Sequence, residues 1–196
     1  MTDASSLTGR LLVAMPGISD PRFEHAVILI CAHGSDHAMG LRIDRPVDGV
    51  DLKTVLDKLD APAPAQAVGR AVLVGGPVER ERGFVLHEPM LIDQAEADES
   101  AYASTMTIPG GLEMTTSKDV LEALSTGAGP RRVLITLGYS SWGEGQLESE
   151  LAENAWLTVG ADLSVIFDTP VPERYDRALS LLGLKAWMLS PEAGHA

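Results

Sequence analysis

Arg132–Leu157, RVLITLGYSSWGEGQLESELAENAWL, holds the densest cluster of local structural signals in this chain. Val133–Leu137 is an apolar, partly β-branched run, which predicts a buried strand. Gly138, Gly143 and Gly145 then bracket a loop, because glycine supplies the backbone angles that turns require. Gln146–Asn154 places Leu147 and Leu151 on one helical face, with Glu148, Glu150 and Glu153 on the other. The expected unit is strand, glycine loop, acidic helix, a corner where free backbone amides can meet a ligand.

Upstream, the apolar runs Leu11–Met15 and Ala26–Ala32 predict buried strands, with a turn-rich connection between them. Met39–Ile43 alternates and predicts a half-buried strand. Asp51 is placed to cap a helix through Leu52, Val55, Leu56 and Leu59, which the prolines of APAPA end. Ala71–Val74 and Gly83–His87 read as strands around the Gly75-Gly76-Pro77 turn, and Thr105–Ile108 with Leu112–Thr115 as a hairpin. Thr116 and Asp119 have the spacing of a capping pair before a short helix that stops at Gly127. Asp93–Ser100 is an acidic loop or short helix, Leu163–Phe167 reads as a strand, and a last helix runs to Gly183, capped by Asp168 or Thr169. Strand pairs joined too closely for helical crossovers require antiparallel pairing, so the fold class is α+β.

The 196-residue length suits one domain, spanning 1–196, with residues 1–6 and 191–196 expected to fray. A net charge of −13 repels phosphate backbones and anionic lipid, so no direct nucleic-acid contact and no membrane association are expected. The longest apolar run, Ala26–Ala32, is far shorter than a membrane helix. One cysteine and no basic leader followed by an apolar stretch indicate a cytoplasmic protein.

Four stretches together resemble the YqgE/AlgH family. They are AMPGISDPRFEHAVILICAH with MGLRIDRP, GGPVERERGFVLHEP, TTSKDVLEAL, and GYSSWGEGQLESELAENAWL. The resemblance implies a bacterial cytosolic protein whose mixed, largely antiparallel sheet curls into a pseudo-barrel with helices packed outside. It implies no settled biochemical activity. Some members are labelled transcriptional regulators through a genetic link to exopolysaccharide control. This chain carries Ser141 where the family pattern has Gly, and Arg42 and Asp44 where the pattern reads MGLVINRP.

The candidate ligand-binding residues are Gly75, Gly76, Pro77, His87, Thr116, Ser117, Ser140, Ser141 and Trp142. The hydroxyls and free amides of the Gly138 loop suit an anionic group, whereas Glu144 opposes one. A nucleophile elbow requires Gly-x-Ser-x-Gly, and here Trp142 stands at its last position. A hydrolase would use Ser140 or His87, with Asp93 or Asp119 orienting the histidine. The Gly75-Gly76-Pro77-Val78 loop lacks both the Walker ending and the dinucleotide fingerprint, and Gly127-Ala128-Gly129 is followed by Pro130. His33, Asp36 and His37 lie in a turn-like segment and are read as a solvated turn, not a metal site. Cys31 is read as core packing.

The chain is therefore expected to be a non-catalytic regulatory or interaction protein with a small-ligand pocket, an unidentified protein or small-molecule partner, no metal and no cofactor. Its link to gene regulation is expected to be indirect. A Ser140 or His87 hydrolase and a DNA-binding regulator are the alternatives, the second opposed by the acidity.

Overall fold

The computed structural model describes residues 6–90 and 101–189. The expected acidic segment at Asp93–Ser100 and nearly all of both expected frayed ends lie outside these residues. The elements are β1 (Arg10–Ala14), β2 (Val27–His33), β3 (His37–Arg42), β4 (Pro46–Asp51), α1 (Leu52–Lys58), β5 (Ala71–Val74), β6 (Val78–His87), β7 (Thr105–Ile108), β8 (Leu112–Thr115), α2 (Asp119–Thr126), β9 (Val133–Gly143), α3 (Gln146–Ala152), β10 (Trp156–Gly160) and α4 (Arg174–Ser180). The ten strands form one sheet curled into a half-barrel, so the α+β architecture is as expected. Every described pairing is antiparallel except β5 with β9.

β9 joins the two halves of this sheet. Its first half lies between β5, with Val72 opposite Ile135, and β6, with Leu86 opposite Leu134. Its second half leaves β5, keeps β6 only where Val78 stands opposite Tyr139, and pairs with β3, with Gly40 opposite Ser140 and Ala38 opposite Trp142. The change of partners falls at Gly138, whose φ of +74° is open to glycine and strained for other residues. The expected glycine loop is therefore strand. Continuous pairing with β3 satisfies its backbone, a tertiary contact that local turn propensity does not report.

Three apolar clusters stabilise this arrangement. β2 contributes to two of them: Val27, Leu29 and Cys31 point into the main core, and Ile28 and Ile30 into the layer beneath α3. Burial on both faces explains the unbroken AVILICA run. α1 and α2 cover β5, β6 and β9 through Leu52, Leu56, Val120 and Leu124.

Elsewhere the structure departs from expectation for identifiable reasons. Ser164–Asp168 is a π-helix with Val165 and Ile166 buried, not a strand, and β10 is the element that pairs with β1. A five-residue apolar run does not by its periodicity distinguish a strand from a buried helical turn. Asp119 begins α2 instead of closing a box with Thr116, because its carboxylate accepts the Ala103 amide at 2.8 Å. Thr169 donates back to the Ser164 carbonyl, leaving α4 without a side-chain cap.

The Asp51 cap is formed as expected. Its carboxylate accepts the Thr54 amide and hydroxyl at 2.8 Å and the Gly69 amide at 2.8 Å. These bonds, the Gly69 amide first, lower its pKa to about 2. A depressed carboxylate pKa stabilises the fold above its unfolded value near 3.8 and loses that effect as the pH falls towards 2. The Tm difference between wild type and Asp51→Ala is thus expected to be full at neutral pH and to shrink across that acid window in a melting series.

The β5–β6 connection crosses β9 at glycine distance. A Cβ on Gly75 would lie 2.1 Å from the Gly138 carbonyl oxygen, and one on Gly76 would lie 2.1 Å from the Tyr139 carbonyl carbon. Neither neighbour is a flexible side chain. Gly76→Ala is expected to lower stability by about 3 kcal/mol. Urea unfolding should show this as a lower midpoint at unchanged slope.

Candidate functional site

The same crossing shapes a cleft. β6 leaves register with β9 between Val78 and Gly83, so Glu79–Arg82 bulge outward above Gly138. Glu79 and Arg82 pair with each other at 3.2 Å, and Arg82 also lies over the Phe84 ring. Arg80 reaches the cleft instead.

This cleft of about 320 Å3 is lined by Gly76, Pro77, Val74 and Leu137 on one side and by the chain around Arg45–Asp48 on the other. Arg22, Arg42, Arg45 and Arg80 all contribute to its wall. They differ in how their donors are used. Arg42 is nearly buried and forms a two-pronged pair with Asp44, at 2.8 Å through Nε and 2.9 Å through Nη2, while Nη1 donates to the Arg22 carbonyl. Arg22 pairs with Asp20 at 2.6 Å. Among the described residues no side-chain acceptor lies within hydrogen-bonding distance of Arg45 or Arg80. Among the described residues Asp48 is the only carboxylate lining this cleft.

A second cleft, of about 570 Å3, lies between α1, α2 and the β6–β9 surface, and Arg80 and Leu137 line both. Thr116 and Ser117 sit at its edge, where Thr116 accompanies Ser104 and Ser117 donates to the Ala103 carbonyl.

The candidate residues thus separate. Gly76 and Pro77 line the first cleft, and Thr116 and Ser117 the second. Gly75 is buried in the crossing, with its carbonyl accepting from the Arg42 amide at 2.8 Å and from Ser140 Oγ at 3.3 Å. Ser140 is 1% exposed, so its hydroxyl meets protein rather than solvent. Ser141 is exposed opposite Met39. Trp142 is buried under α3, where its indole and that of Trp156 both donate to Glu150 Oε2, at 3.0 and 2.7 Å. Glu148 pairs with His33 at 2.6 Å, so both α3 glutamates, Glu148 and Glu150, are engaged within the chain.

His87 is fully buried. Its Nδ1 donates to the Glu88 carbonyl at 2.9 Å, and its Nε2 is hydrogen-bonded to the Thr115 hydroxyl at 2.8 Å. It stands opposite Val133 on β9, seven residues from Ser140, which places the two roughly 20 Å apart. Ser140 and His87 therefore do not form a nucleophile and base, and Asp93 lies outside the described residues. His33 has both ring nitrogens occupied, by the Leu7 amide and Glu148, while His37 pairs with Asp36. Burial pushes the Cys31 thiol up to about 12, which suits core packing and not nucleophilic chemistry. Among the described residues no helix is long and apolar enough to cross a membrane.

The arginines were missed because they are far apart in sequence. The available signals were the Arg42-x-Asp44-Arg45 cluster beside β3 and the placement of Arg80 next to GGPV.

Fold and cleft define a class: a curled-sheet α+β protein with an arginine-lined cleft beside a glycine crossing. Within that class, the AlgH-like family model matches residues 11–187, and the chain belongs to this family, whose biochemical function is uncharacterised. It is 68% identical over 193 residues to a UPF0301 protein of Verminephrobacter eiseniae, covering 97% of this chain and 96% of that one. A UPF0301 protein of Delftia acidovorans is 64% identical over 192 residues, with the same coverage. The solution structure of AlgH from Pseudomonas aeruginosa matches with a TM-score of 0.77 at 42% identity, covering 100% of this chain and 99% of that one. A Corynebacterium diphtheriae crystal structure shares the fold, with a TM-score of 0.70 at 19% identity over 91% of this chain and 88% of that one.

Arg42 and Asp44, the two departures from MGLVINRP, prove to be partners. Removing one member of a buried pair strands the other's charge and costs about 3 kcal/mol or more. Arg42→Val alone is expected to show that loss in chemical denaturation. Arg42→Val with Asp44→Asn should recover most of it, because the asparagine oxygen still accepts the Val27 amide that Asp44 now takes at 3.0 Å.

Proposed function

We propose that this chain is a non-catalytic cytoplasmic binding protein that takes an anionic small molecule in the cleft between Arg45 and Arg80, with a regulatory or interaction role. One observation carries the reading: in a chain of net charge −13, two guanidinium groups line one cleft without an acceptor of their own among the described residues. Each presents a planar fork matched to a carboxylate or phosphate, and exposed Pro77 lines the cleft beside buried Gly76. The acidic far field opposes extended polyanions such as duplex DNA, so any effect on gene expression runs through a ligand or a protein partner.

Calorimetric titration at low salt with inorganic phosphate, pyrophosphate and citrate tests this reading. Saturable binding is expected, weakened at least about tenfold by Arg45→Ala or Arg80→Ala and unchanged by Ser140→Ala. Failure of all three anions to bind at millimolar concentration, or binding that survives the double arginine substitution, overturns it.

A further inference from the structure

The second cleft extends the first, and its chemistry is different. Its hydroxyls already have partners: Thr54 Oγ1 in the α1 cap, Thr115 Oγ1 on His87, Thr116 Oγ1 on the Ser104 carbonyl, and Ser117 Oγ on the Ala103 carbonyl and Asp119. What remains available is largely hydrocarbon, with Val55 from α1 and Leu59 just after it, Leu121 from α2, and Val85, Ile135 and Leu137 from the sheet. Val55, Leu121 and Leu137 are only partly buried although they pack against the α1–α2 cluster. Leaving such side chains half in water forgoes part of their transfer free energy, which an apolar occupant would restore. Charged groups lie at the margin, where Lys58, Lys118 and Arg80 outnumber Glu81.

The two clefts share Arg80 and Leu137 and so meet at the β6 bulge. We infer that they form one bipartite site for a small anionic amphiphile, its carboxylate or phosphate held between Arg45 and Arg80 and its apolar chain lying along the α1–α2 groove. This rests on the anion-binding reading and specifies the ligand class. The occupant is a free monomer and not a membrane surface, because the net charge of −13 repels an anionic bilayer far more strongly than a ligand of one or two charges.

The test is titration of the full chain with inorganic phosphate and with butyl, hexyl and octyl phosphate below their micellar concentrations, alongside octyl glucoside. Affinity is expected to rise about three- to fourfold for each methylene added. Leu121→Glu, at a partly buried position of α2, is expected to flatten that series while leaving inorganic phosphate binding intact, and circular dichroism checks its folding. The wild-type series stands without the variant. Phosphate binding with no dependence on chain length overturns the bipartite site and leaves the anion-binding reading in place. No binding of any phosphate overturns both. Octyl glucoside binding as tightly as octyl phosphate removes the role of the arginines. Capture of the protein by phosphatidylglycerol vesicles, with no binding of monomers, overturns the choice of a free ligand.

Discussion

The contact on which this structure depends is the crossing of Gly75 and Gly76 over Gly138 and Tyr139. Backbone meets backbone there with no room for a β-carbon on either glycine of the β5–β6 connection. Because β9 can turn at Gly138, it serves two sets of strand partners, β5 and β6 with its first half and β3 with its second. The curl of the sheet follows from that exchange. A protein interior packed at crystal-like density offers little room to absorb an added methyl group at such a point.

The crossing also determines where charge is presented. Passing over Gly138 forces β6 out of register, and the resulting bulge carries Arg80 to the junction of the two clefts. Bulges commonly re-aim side chains beside binding sites, and here one positions a cation in a strongly acidic molecule. Opposite it, the Arg42–Asp44 pair neutralises itself, so the chain leading to Arg45 is held by a buried interaction and Arg45 remains available. Arg42 and Arg45 thus stand side by side. The difference between them is which one has an acceptor.

The serine-rich stretch after Gly138 has a role different from the one its composition suggests. Ser140 ties β9 to the Gly75 carbonyl, Trp142 closes the layer under α3, and Glu150 receives both buried indoles. These residues hold the crossing and the helix against the sheet. The same residue types on an exposed loop would read as chemistry, which is why function has to be argued from placement and not from composition.

Most of the elements were legible in the sequence, because their causes are local. The AVILICA run, the Asp51 cap, the β7–β8 hairpin and the glycine stop at Gly127 each follow from side-chain sterics or hydrogen bonding within a few residues. The family resemblance was legible too, since it is a matter of ordered residues. What tertiary structure alone decided were features whose partners are distant in the chain: the continuation of β9 through Tyr139–Gly143 against β3, the edge position of β10, the burial of His87 away from Ser140, and the meeting of Arg45 with Arg80. Strand pairing and charge convergence are set by contacts dozens of residues apart, and local propensity carries no information about them.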